Sequence, residues 1–366
     1  MTAAAALCCA VTISAPLPAW VAPGAVVTVR GSSGSHTQVT LLAGSYTLGT
    51  AKSGRLGRFA VAGPAPPPGR YVVSIASEGR RTRVGPLLVR PVVLAAAGDV
   101  TFGEGIAAFG PEYPWRSVGP LLRSADVATV NLEGAVSDRG TAVPGKPFTF
   151  RGPPSSLFAA ARLAGLDVVS VANNHSLDFG RQAFADTLAA ARAAGIAPVG
   201  GGPTLAAARR PVVVERGGLR LAFLGYSDIE PPSFFAGPGT AGTAPADPAL
   251  ARADAGRAAR VADLVVVWFH WGIERQFTPT GRQRELAAAA LAGGADLVLG
   301  AHPHVLQTIE RRGRRLVAWS LGNFVFLPHS PGTERSGVLI VSLDARGVRS
   351  FHLRPATAGA QPRLTG

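Results

Sequence analysis

Two histidines separated by a single proline follow a short apolar run late in the chain. The run at 297–299, Leu-Val-Leu, has the length and branching of a buried strand, and Gly300 ends it. Because proline disfavours helical geometry in the residue before it, we expect an extended stretch in which the imidazoles of His302 and His304 point to the same side. Such a pair can bind a metal ion; the alternative interpretation is two solvent-exposed loop histidines.

Carboxylates, amides and further histidines follow the other predicted strands in the same part of the chain. Four of the chain's 7 histidines belong to this set, and His329 lies outside it. The set, in chain order, is Asp99, Asn131, Glu133, Asn173, Asn174, His175, Asp178, His270, Glu274, His302, His304 and Asn323. In open α/β sheets ligands bind outside the carboxyl ends of the strands, so these side chains should share one edge.

The chemistry of this set suits a pair of divalent metal ions. Carboxylate oxygens and imidazole nitrogens are common ligands for such ions. Two bound ions would polarise a phosphoryl group and generate hydroxide from water. The alternative interpretation is a polar crevice that binds a sugar or an acidic group.

The elements that must position these residues begin at about residue 91, where apolar strands start to alternate with Ala-rich helical stretches. This alternation predicts an α/β domain over 91–355, followed by a tail at 356–366. The predicted strands are 92–97, 127–131, 167–172, 211–214, 220–224, 264–269, 296–299, 316–320 and 337–343. The predicted helices are 155–164, 181–194, 246–262 and 282–292, and the Gly/Pro-rich segment 231–248 is expected to be a mobile loop.

The chain before residue 91 has a different pattern. Over 20–90, short β-like runs separated by Gly, Ser and Pro predict a small immunoglobulin-like β-sandwich that acts as an accessory module. Residues 1–19 are uncharged and contain an apolar run typical of a secretory signal, which predicts an extracytoplasmic protein, secreted or associated with the cell surface. A mis-assigned or truncated start is the alternative. Cys8 and Cys9 are adjacent, so no disulfide framework is expected.

Composition limits the partners. With 366 residues, 47% of them hydrophobic and 16% charged, the chain should be globular with two or three domains. The formal net charge of +14 favours an acidic partner, such as an acidic polymer, a phosphate-containing small substrate or, peripherally, an anionic membrane surface. The arginines are scattered and form no aromatic-interleaved basic stripe, so nucleic acid binding is not expected.

The ordered motifs carry a family resemblance. "AGDV", "NLEG", "ANNHSLDFG", "HWGIE", "GAHPHVLQ" and "SLGNF", spread over about 93–341, resemble the bacterial capsule synthesis protein CapA family, which is associated with poly-γ-glutamate capsules. That family looks like a branch of the calcineurin-like metallophosphoesterases. The resemblance therefore implies a four-layer α/β/β/α metallophosphatase-like sandwich with a dinuclear metal site.

The resemblance also implies roles for individual residues. Asp99 stands where the first metal-binding aspartate stands, Glu133 where the bridging carboxylate stands, and Asn174 where the amide ligand stands. The ligand set for one or two divalent ions (Mn, Fe, Zn or Mg) is completed by His270, His302 and His304. His175 stands in the position of the general acid, and Asp178 is a second candidate catalytic residue. Further candidate site residues are Asn131, Asn173, Glu274 and Asn323.

The sequence departs from the superfamily pattern at two positions. The first motif is normally Asp-x-His, but its third position here is Thr101, which cannot replace an imidazole ligand, and Glu133 replaces an aspartate. One metal ion is therefore expected to bind weakly or not at all, and ordinary phosphatase activity is doubtful. Asp178 and Glu274 could rebuild the ligand shell; the alternative is that they cap helices or orient His175 and His270.

Three function classes follow. The first is a protein of extracytoplasmic capsule or polymer synthesis or attachment, with a metal-dependent hydrolase-like site and a place in a capsule synthesis or export complex. The second is a metallophosphoesterase that acts on a phosphate ester. The third is a non-catalytic scaffold of a polymer export complex.

Overall fold

The computed structural model describes residues 11–103, 105–229 and 231–365, and these residues form two compact units. The first unit contains the described residues up to Val92 together with the short segments Glu215–Leu219 and Asp344–Arg346. The second unit contains the rest of the described chain. The first ten residues of the expected signal segment lie outside the described residues.

The part of the first unit that precedes Val92 is built from strands. They are β1 (Thr12–Ile13), β2 (Trp20–Val21), β3 (Val26–Ser32), β4 (Gln38–Ala43), β5 (Tyr46–Lys52), β6 (Arg58–Pro64), β7 (Gly69–Ser77) and β8 (Arg80–Val89). Strands β1, β3 and β6 form one sheet, and β2, β8, β7, β4 and β5 form another. Buried and exposed residues alternate along β3, where Val27 and Val29 are buried, and along β6, where Phe59 and Val61 are buried. This alternation gives each strand one apolar face. The all-β character expected for 20–90 is therefore present, and its immunoglobulin-like arrangement stays a prediction.

The second unit is mixed α/β. Its strands are β9 (Val92–Val100), β10 (Val127–Leu132), β11 (Ala135–Val136), β12 (Arg151–Gly152), β13 (Leu166–Ser170), β14 (Ala197–Val199), β15 (Gly201–Gly202), β16 (Val212–Arg216), β17 (Leu219–Ser227), β18 (Gly242–Thr243), β19 (Leu264–His270), β20 (Leu297–Ala301), β21 (Ile309–Arg312), β22 (Arg315–Ala318), β23 (Asn323–Val325), β24 (Arg335–Asp344), β25 (Gly347–Thr357) and β26 (Arg363–Leu364). Its helices are α1 (Gly119–Arg123), α2 (Ser155–Ala164), α3 (Gly180–Ala193), α4 (Leu205–Ala208), α5 (Pro248–Ala258) and α6 (Gly281–Gly293), with short 3₁₀ helices at Ile106–Phe109, Tyr113–Trp115 and Pro232–Phe234.

Two large sheets organise these strands. The first has the order β14-β13-β10-β9-β24-β25-β26, with β23 also paired to β9. The second has the order β16-β17-β19-β20-β22-β21. The central pairs are parallel, from β9 through β10 and β13 to β14 in the first sheet and from β17 through β19 and β20 to β22 in the second. Strand β19 is buried along its whole length, as expected of a parallel strand covered on both faces.

Each sheet shares a core with its own helices. Leu157 of α2 and Phe184 of α3 belong to the same buried cluster as Val130 of the first sheet. Residues of α5 and α6 cluster in the same way with the second sheet. The two sheets also contact each other, because the indole Nε1 of Trp268 on β19 donates a hydrogen bond to Thr129 Oγ1 on β10, at 2.9 Å.

The predicted elements of this unit are present with small shifts at their ends. The helix predicted at 246–262 is α5, and it begins later because Asp247 caps it, accepting a hydrogen bond from the backbone N–H of Leu250 at 2.8 Å. The segment 231–248 is packed where we expected a mobile loop: β18 pairs with β15 and Phe234 is buried. No helix in the described residues is long and apolar enough to cross a membrane.

One local prediction was wrong. The His302–His304 stretch is not extended, because the backbone φ angles of these two residues are 94° and 58°. The chain turns sharply here, and the two imidazole centroids lie 5.8 Å apart and tilted. Their proximity therefore comes from a turn and not from the two-residue repeat of a strand. Asn323 likewise begins the short strand β23 and does not follow a strand.

Candidate metal centre

Strand register brings the predicted site residues to one edge. Asn131 on β10 pairs with Asp99 on β9, and Asn323 on β23 pairs with Asp99 from the other side. In the second sheet, His270 at the end of β19 pairs with Ala301, the residue before His302. Because the parallel strands of each sheet end together, side chains far apart in the sequence meet at this edge.

Glu133 lies at the centre of the group. Its side chain is fully buried, and neither carboxylate oxygen has a hydrogen-bond partner among the described residues. The Nε2 atoms of His175, His304 and His270 lie 3.8, 3.9 and 4.0 Å from its Oε1. Burial, and then the neighbouring Asp99, raise the pKa of Glu133 well above its ordinary value. A buried carboxylate without donors is costly unless a cation neutralises it, so this arrangement fits a metal ion.

Asp99 and His304 complete one group of donors with Glu133. The candidate ligand atoms of these three residues lie within 4.8 Å of one another. Asn323 Oδ1 lies 2.8 Å from His304 Nδ1, which leaves Nε2 of His304 facing Glu133. Burial lowers the pKa of His304, but the carboxylates of Glu133 and Asp99 outweigh it and raise that pKa to about 10. The negative charge of this pocket therefore attracts a cation.

The remaining imidazole and amide donors lie beside this group. His270 Nε2 is 2.7 Å from Asn174 Oδ1, and the rings of His270 and His302 have centroids 4.8 Å apart. Burial, followed by the neighbouring histidines, lowers the pKa of His270 well below its ordinary value and that of His302 to about 3. His302 Nδ1 is buried without a hydrogen-bond partner among the described residues. Neutral imidazoles with a free nitrogen are the form that binds metal ions.

A chain of amides orients this part of the site. Asn173 Nδ2 donates to the backbone carbonyl of Leu132 at 2.8 Å and to Asn131 Oδ1 at 3.2 Å. Asn131 Nδ2 must then be the donor to Asp99 Oδ1, at 2.9 Å, and to His270 Nδ1, at 3.2 Å. The same network, with Asn174 on the other side of the ring, fixes the orientation of His270. Asn131 and Asn173 thus act by orienting their neighbours.

His175 and Asp178 form a hydrogen-bonded pair on the other side of Glu133. His175 Nδ1 lies 2.7 Å from Asp178 Oδ2, and the backbone N–H of Phe150 donates to the same oxygen at 2.7 Å. The ring of Phe150 stacks on the imidazole with a centroid distance of 4.1 Å. Burial lowers the pKa of His175, partly offset by Asp178. Asp178 therefore holds His175 with Nε2 directed at the centre, as a general acid or base requires.

Thr101 and the two carboxylates that could compensate for it have different surroundings. Thr101 is fully buried, and its Oγ1 accepts a hydrogen bond from the backbone N–H of Gly103 at 3.1 Å, so the hydroxyl serves a local turn. Glu274 is exposed, and its carboxylate lies within 4.8 Å of the ligand nitrogens of His302 and His304. Glu274 is therefore placed to act as an additional ligand, whereas Asp178 is committed to His175.

Several residues near the centre were missed by sequence reasoning. Lys146 donates hydrogen bonds to Asp178 and to the backbone carbonyl of Asn174. Lys146 is one of only two lysines in the sequence, and this rarity could have identified it as a candidate site residue.

A cavity of about 370 Å³ opens beside the centre. It is lined by Phe148, Phe150, His175, Glu274, Arg275, His304, Asn323, Phe326, His329, Ser330 and Thr333. His329, which we expected to lie apart from the site, is therefore part of its wall.

The sequence of this chain is similar to those of known proteins. The family described as Bacterial capsule synthesis protein PGA_cap matches residues 93–327. The chain is 32% identical over 271 residues to the PGA biosynthesis protein CapA of Bacillus subtilis (strain 168), covering 72% of this chain and 71% of that protein. It is 31% identical over 287 residues to the Capsule biosynthesis protein CapA of Bacillus anthracis, covering 72% of this chain and 67% of that protein. A more distant likeness joins it to the 5'-nucleotidase precursor from Thermus thermophilus, with a TM-score of 0.40 and 15% identity over 75% of this chain and 54% of that one.

Proposed function

This chain belongs to the family of bacterial capsule synthesis proteins. On that premise we propose that it acts in the synthesis or attachment of an extracytoplasmic capsule polymer, poly-γ-glutamate. We propose that it does so through a metal-dependent hydrolase-like site. Two relatives carry names that refer to PGA or capsule biosynthesis, which supports the choice of polymer. The observation that carries the site is Glu133, a buried carboxylate without hydrogen-bond donors among the described residues, which faces three imidazole nitrogens at 3.8–4.0 Å.

Two sets of residues would hold divalent metal. Asp99, Glu133 and His304 form the first, and Glu133 can be shared with the second. The second set is Asn174, His270 and His302, with Glu274 at its edge. Bound there, a divalent cation of Mn, Fe, Zn or Mg would supply Lewis-acid polarisation of a carbonyl or phosphoryl oxygen.

The chain's own residues supply the proton chemistry. Asp178 accepts a hydrogen bond from His175 Nδ1 and fixes the ring, while Lys146 contacts the other oxygen of Asp178. His175 Nε2 is then free to take a proton from an attacking group or to give one to a leaving group. Phe150 stacks on one face of this ring and prevents it from rotating.

We further propose that the second unit has the four-layer α/β/β/α order of a metallophosphatase-like sandwich. The separate cores of α2 and α3 with the first sheet and of α5 and α6 with the second support this order, as does the Trp268–Thr129 hydrogen bond between the sheets. The proposed segments are a signal at 1–19, an immunoglobulin-like module at 20–90 and the metallophosphatase-like domain at 91–355.

The proposed location is extracytoplasmic, in a capsule synthesis complex and peripheral to a membrane. The uncharged apolar start of the chain supports export. Mass spectrometry of the native protein tests this, because export with cleavage predicts a new amino terminus near residue 20. An intact Met1 or Thr2 terminus on cytoplasmic protein would contradict it.

Metal content and turnover test the proposed site. We expect the purified protein to retain at least one divalent ion, and Glu133→Gln to lower metal affinity by more than about tenfold because it removes the central charge. Glu285→Gln is the matched control, since Glu285 is an exposed carboxylate on α6 paired with Arg282. Release of glutamate from γ-glutamyl peptides supports the proposal. Hydrolysis of phosphate esters alone would assign a metallophosphoesterase, and a protein with neither metal nor turnover would be a scaffold.

A further inference from the structure

The cavity beside the metal centre is lined by one arginine, Arg275, that the proposed chemistry does not use. His175, His304 and Asn323 line it on the side of the centre, so a substrate that reacts there must extend into the cavity. Arg275 follows Glu274 immediately in the chain. With a volume of about 370 Å³, the cavity has room for one or two units of a small-residue polymer.

Arg275 is held in a backbone conformation that favours glycine. Its φ angle is 62°, and its backbone N–H donates a 2.8 Å hydrogen bond to the carbonyl of Pro303, between the two histidines of the turn. In the described chain, five residues other than glycine have positive φ, and Arg275, His302 and His304 are three of them. Side chains retained at such positions cluster at functional sites, where the surrounding structure enforces them. The strained turn thus fixes Arg275 next to the centre.

Within the described residues, the guanidinium of Arg275 has no carboxylate as a counter-charge. No carboxylate of the described residues forms an ion pair with it, and no side-chain or carbonyl oxygen of those residues accepts a hydrogen bond from it. Glu274, the acid next to it in sequence, is instead placed towards His302 and His304. An exposed arginine in a cavity, without an acid partner, presents planar donors suited to a carboxylate or a phosphate.

Aromatic side chains also line this cavity. Phe148 is 65% exposed, while Phe150 and Phe326 are buried and pack edge-to-face with centroids 5.4 Å apart. These side chains favour methylene groups of a ligand, and the guanidinium favours an anionic end. A γ-linked glutamyl unit has this form: its backbone passes through two methylenes, and its α-carboxylate branches from the carbon beyond them.

We propose that Arg275 binds the α-carboxylate of a γ-glutamyl unit whose γ-amide lies at the metal centre, and so selects an acidic polymer over a neutral one. This inference rests on the proposed function, since it names the substrate class of the same site. It assigns to Arg275 a role in binding and specificity, and no role in proton transfer.

Binding of short ligands to the full chain tests this proposal. The probes are a γ-linked triglutamate, the same peptide with its α-carboxylates converted to amides, and inorganic phosphate, each titrated calorimetrically into metal-free protein. We expect Arg275→Gln to weaken the triglutamate by ~10–100-fold, as for loss of a charged hydrogen bond, and to leave the amidated peptide unchanged. Arg275→Lys should recover only part of the loss, because an ammonium cannot form the paired hydrogen bonds.

Two further variants separate binding from folding. Arg275→Gly suits the left-handed backbone, so it should fold at least as stably as the wild type and still lose triglutamate binding. Arg252→Gln, an exposed arginine on α5 outside the cavity, is the matched control and should bind normally. Because no metal is added, a protein that fails the metal test can still show this dependence on Arg275.

Three outcomes would overturn the proposal. These are no triglutamate binding by the wild type, equal losses for the charged and amidated peptides in Arg275→Gln, or dependence on Arg275 for phosphate alone. The last result would mean that Arg275 binds a phosphate group and not a carboxylate.

Discussion

His304 lies close to Glu274 and His302 and also belongs to the donor set of Asp99 and Glu133. Its Nε2 faces Glu133. Its neighbour His302 is also close to the centre but has the opposite protonation behaviour, with a pKa near 3 against about 10 for His304. The difference arises because carboxylates surround His304, whereas other imidazoles surround His302.

Metal binding should therefore release a proton. With a pKa of about 10, His304 is protonated at neutral pH before metal binds, and a ligand imidazole must be neutral. Affinity should rise with pH between about pH 7 and 10, since binding displaces the proton of His304 and the raised pKa of Glu133 acts in the same direction. His302 is already neutral in this range and adds no pH dependence. Calorimetric titration with Mn²⁺ in buffers of different ionisation enthalpy measures the protons released, and a value of zero at about pH 7 would contradict this protonation state.

His175 should affect turnover and not metal content. Its Nε2 lies 3.8 Å from Glu133 Oε1 and its ring is held by Asp178, outside the two donor groups. His175→Ala is expected to reduce turnover by ~10²–10⁴-fold, the range for loss of a general acid or base. Metal analysis of the same preparation should match the wild type. If the variant lost metal together with activity, His175 would be assigned as a metal ligand.

At the scale of elements, the start of α6 ties two loops of the site together. Thr280 and Gln283 form a capping box, and Gln283 Nε2 donates to Gln307 Oε1 at 3.0 Å. Gln307 Nε2 in turn donates to the carbonyl of Gln276 at 2.7 Å. The loop that follows His304 is thereby joined to the loop that carries Arg275. The start of helix α6 thus helps to position both the loop after the metal-binding turn and the loop that carries Arg275.

Gln283→Ala should therefore weaken both the fold and the site. It removes one half of the capping box and leaves the buried amide of Gln307 without this partner, for a loss of about 1–3 kcal/mol in the free energy of unfolding. Gln182→Ala, an exposed position on α3, should change stability by less than about 0.5 kcal/mol. Urea unfolding of both variants provides the comparison, and equal stabilities would show that the network is not stabilising.

At the scale of the whole molecule, the net charge of +14 should govern association with an acidic polymer. Exposed arginines spread over the surface attract it at long range, and salt screens that attraction within about 10 Å at 0.1 M. The contact with Arg275 inside a cavity is shorter in range and less screened. We expect raised salt to slow association with poly-γ-glutamate while Arg275→Gln mainly speeds dissociation. Surface plasmon resonance at two salt concentrations separates the two rates, and a salt-independent association rate would argue against steering.

Local patterns in the sequence were enough to locate the long strands and helices and to identify most of the donors. Runs such as 264–269 and 297–299 are apolar throughout because parallel strands are buried on both faces, and this makes them recognisable without a structure. Rare polar residues directly after such runs marked the site edge for the same reason: a buried strand tolerates them only where it ends. The ordered motifs were sufficient to indicate the family.

How the donors meet depends on contacts between segments that are far apart in the sequence. Asp99 and His302 are 203 positions apart in two different sheets, and the packing of these sheets brings them into contact. The left-handed turn at His302 and His304 contradicts the extended geometry that Pro303 favours locally. Contacts with distant segments override this preference: the backbone of Arg275 donates a hydrogen bond to Pro303, and the imidazole rings pack around Glu133. Lys146, Arg275 and His329 reach the site from loops with no periodic pattern. Their roles depend on long-range packing, which local sequence preferences do not encode.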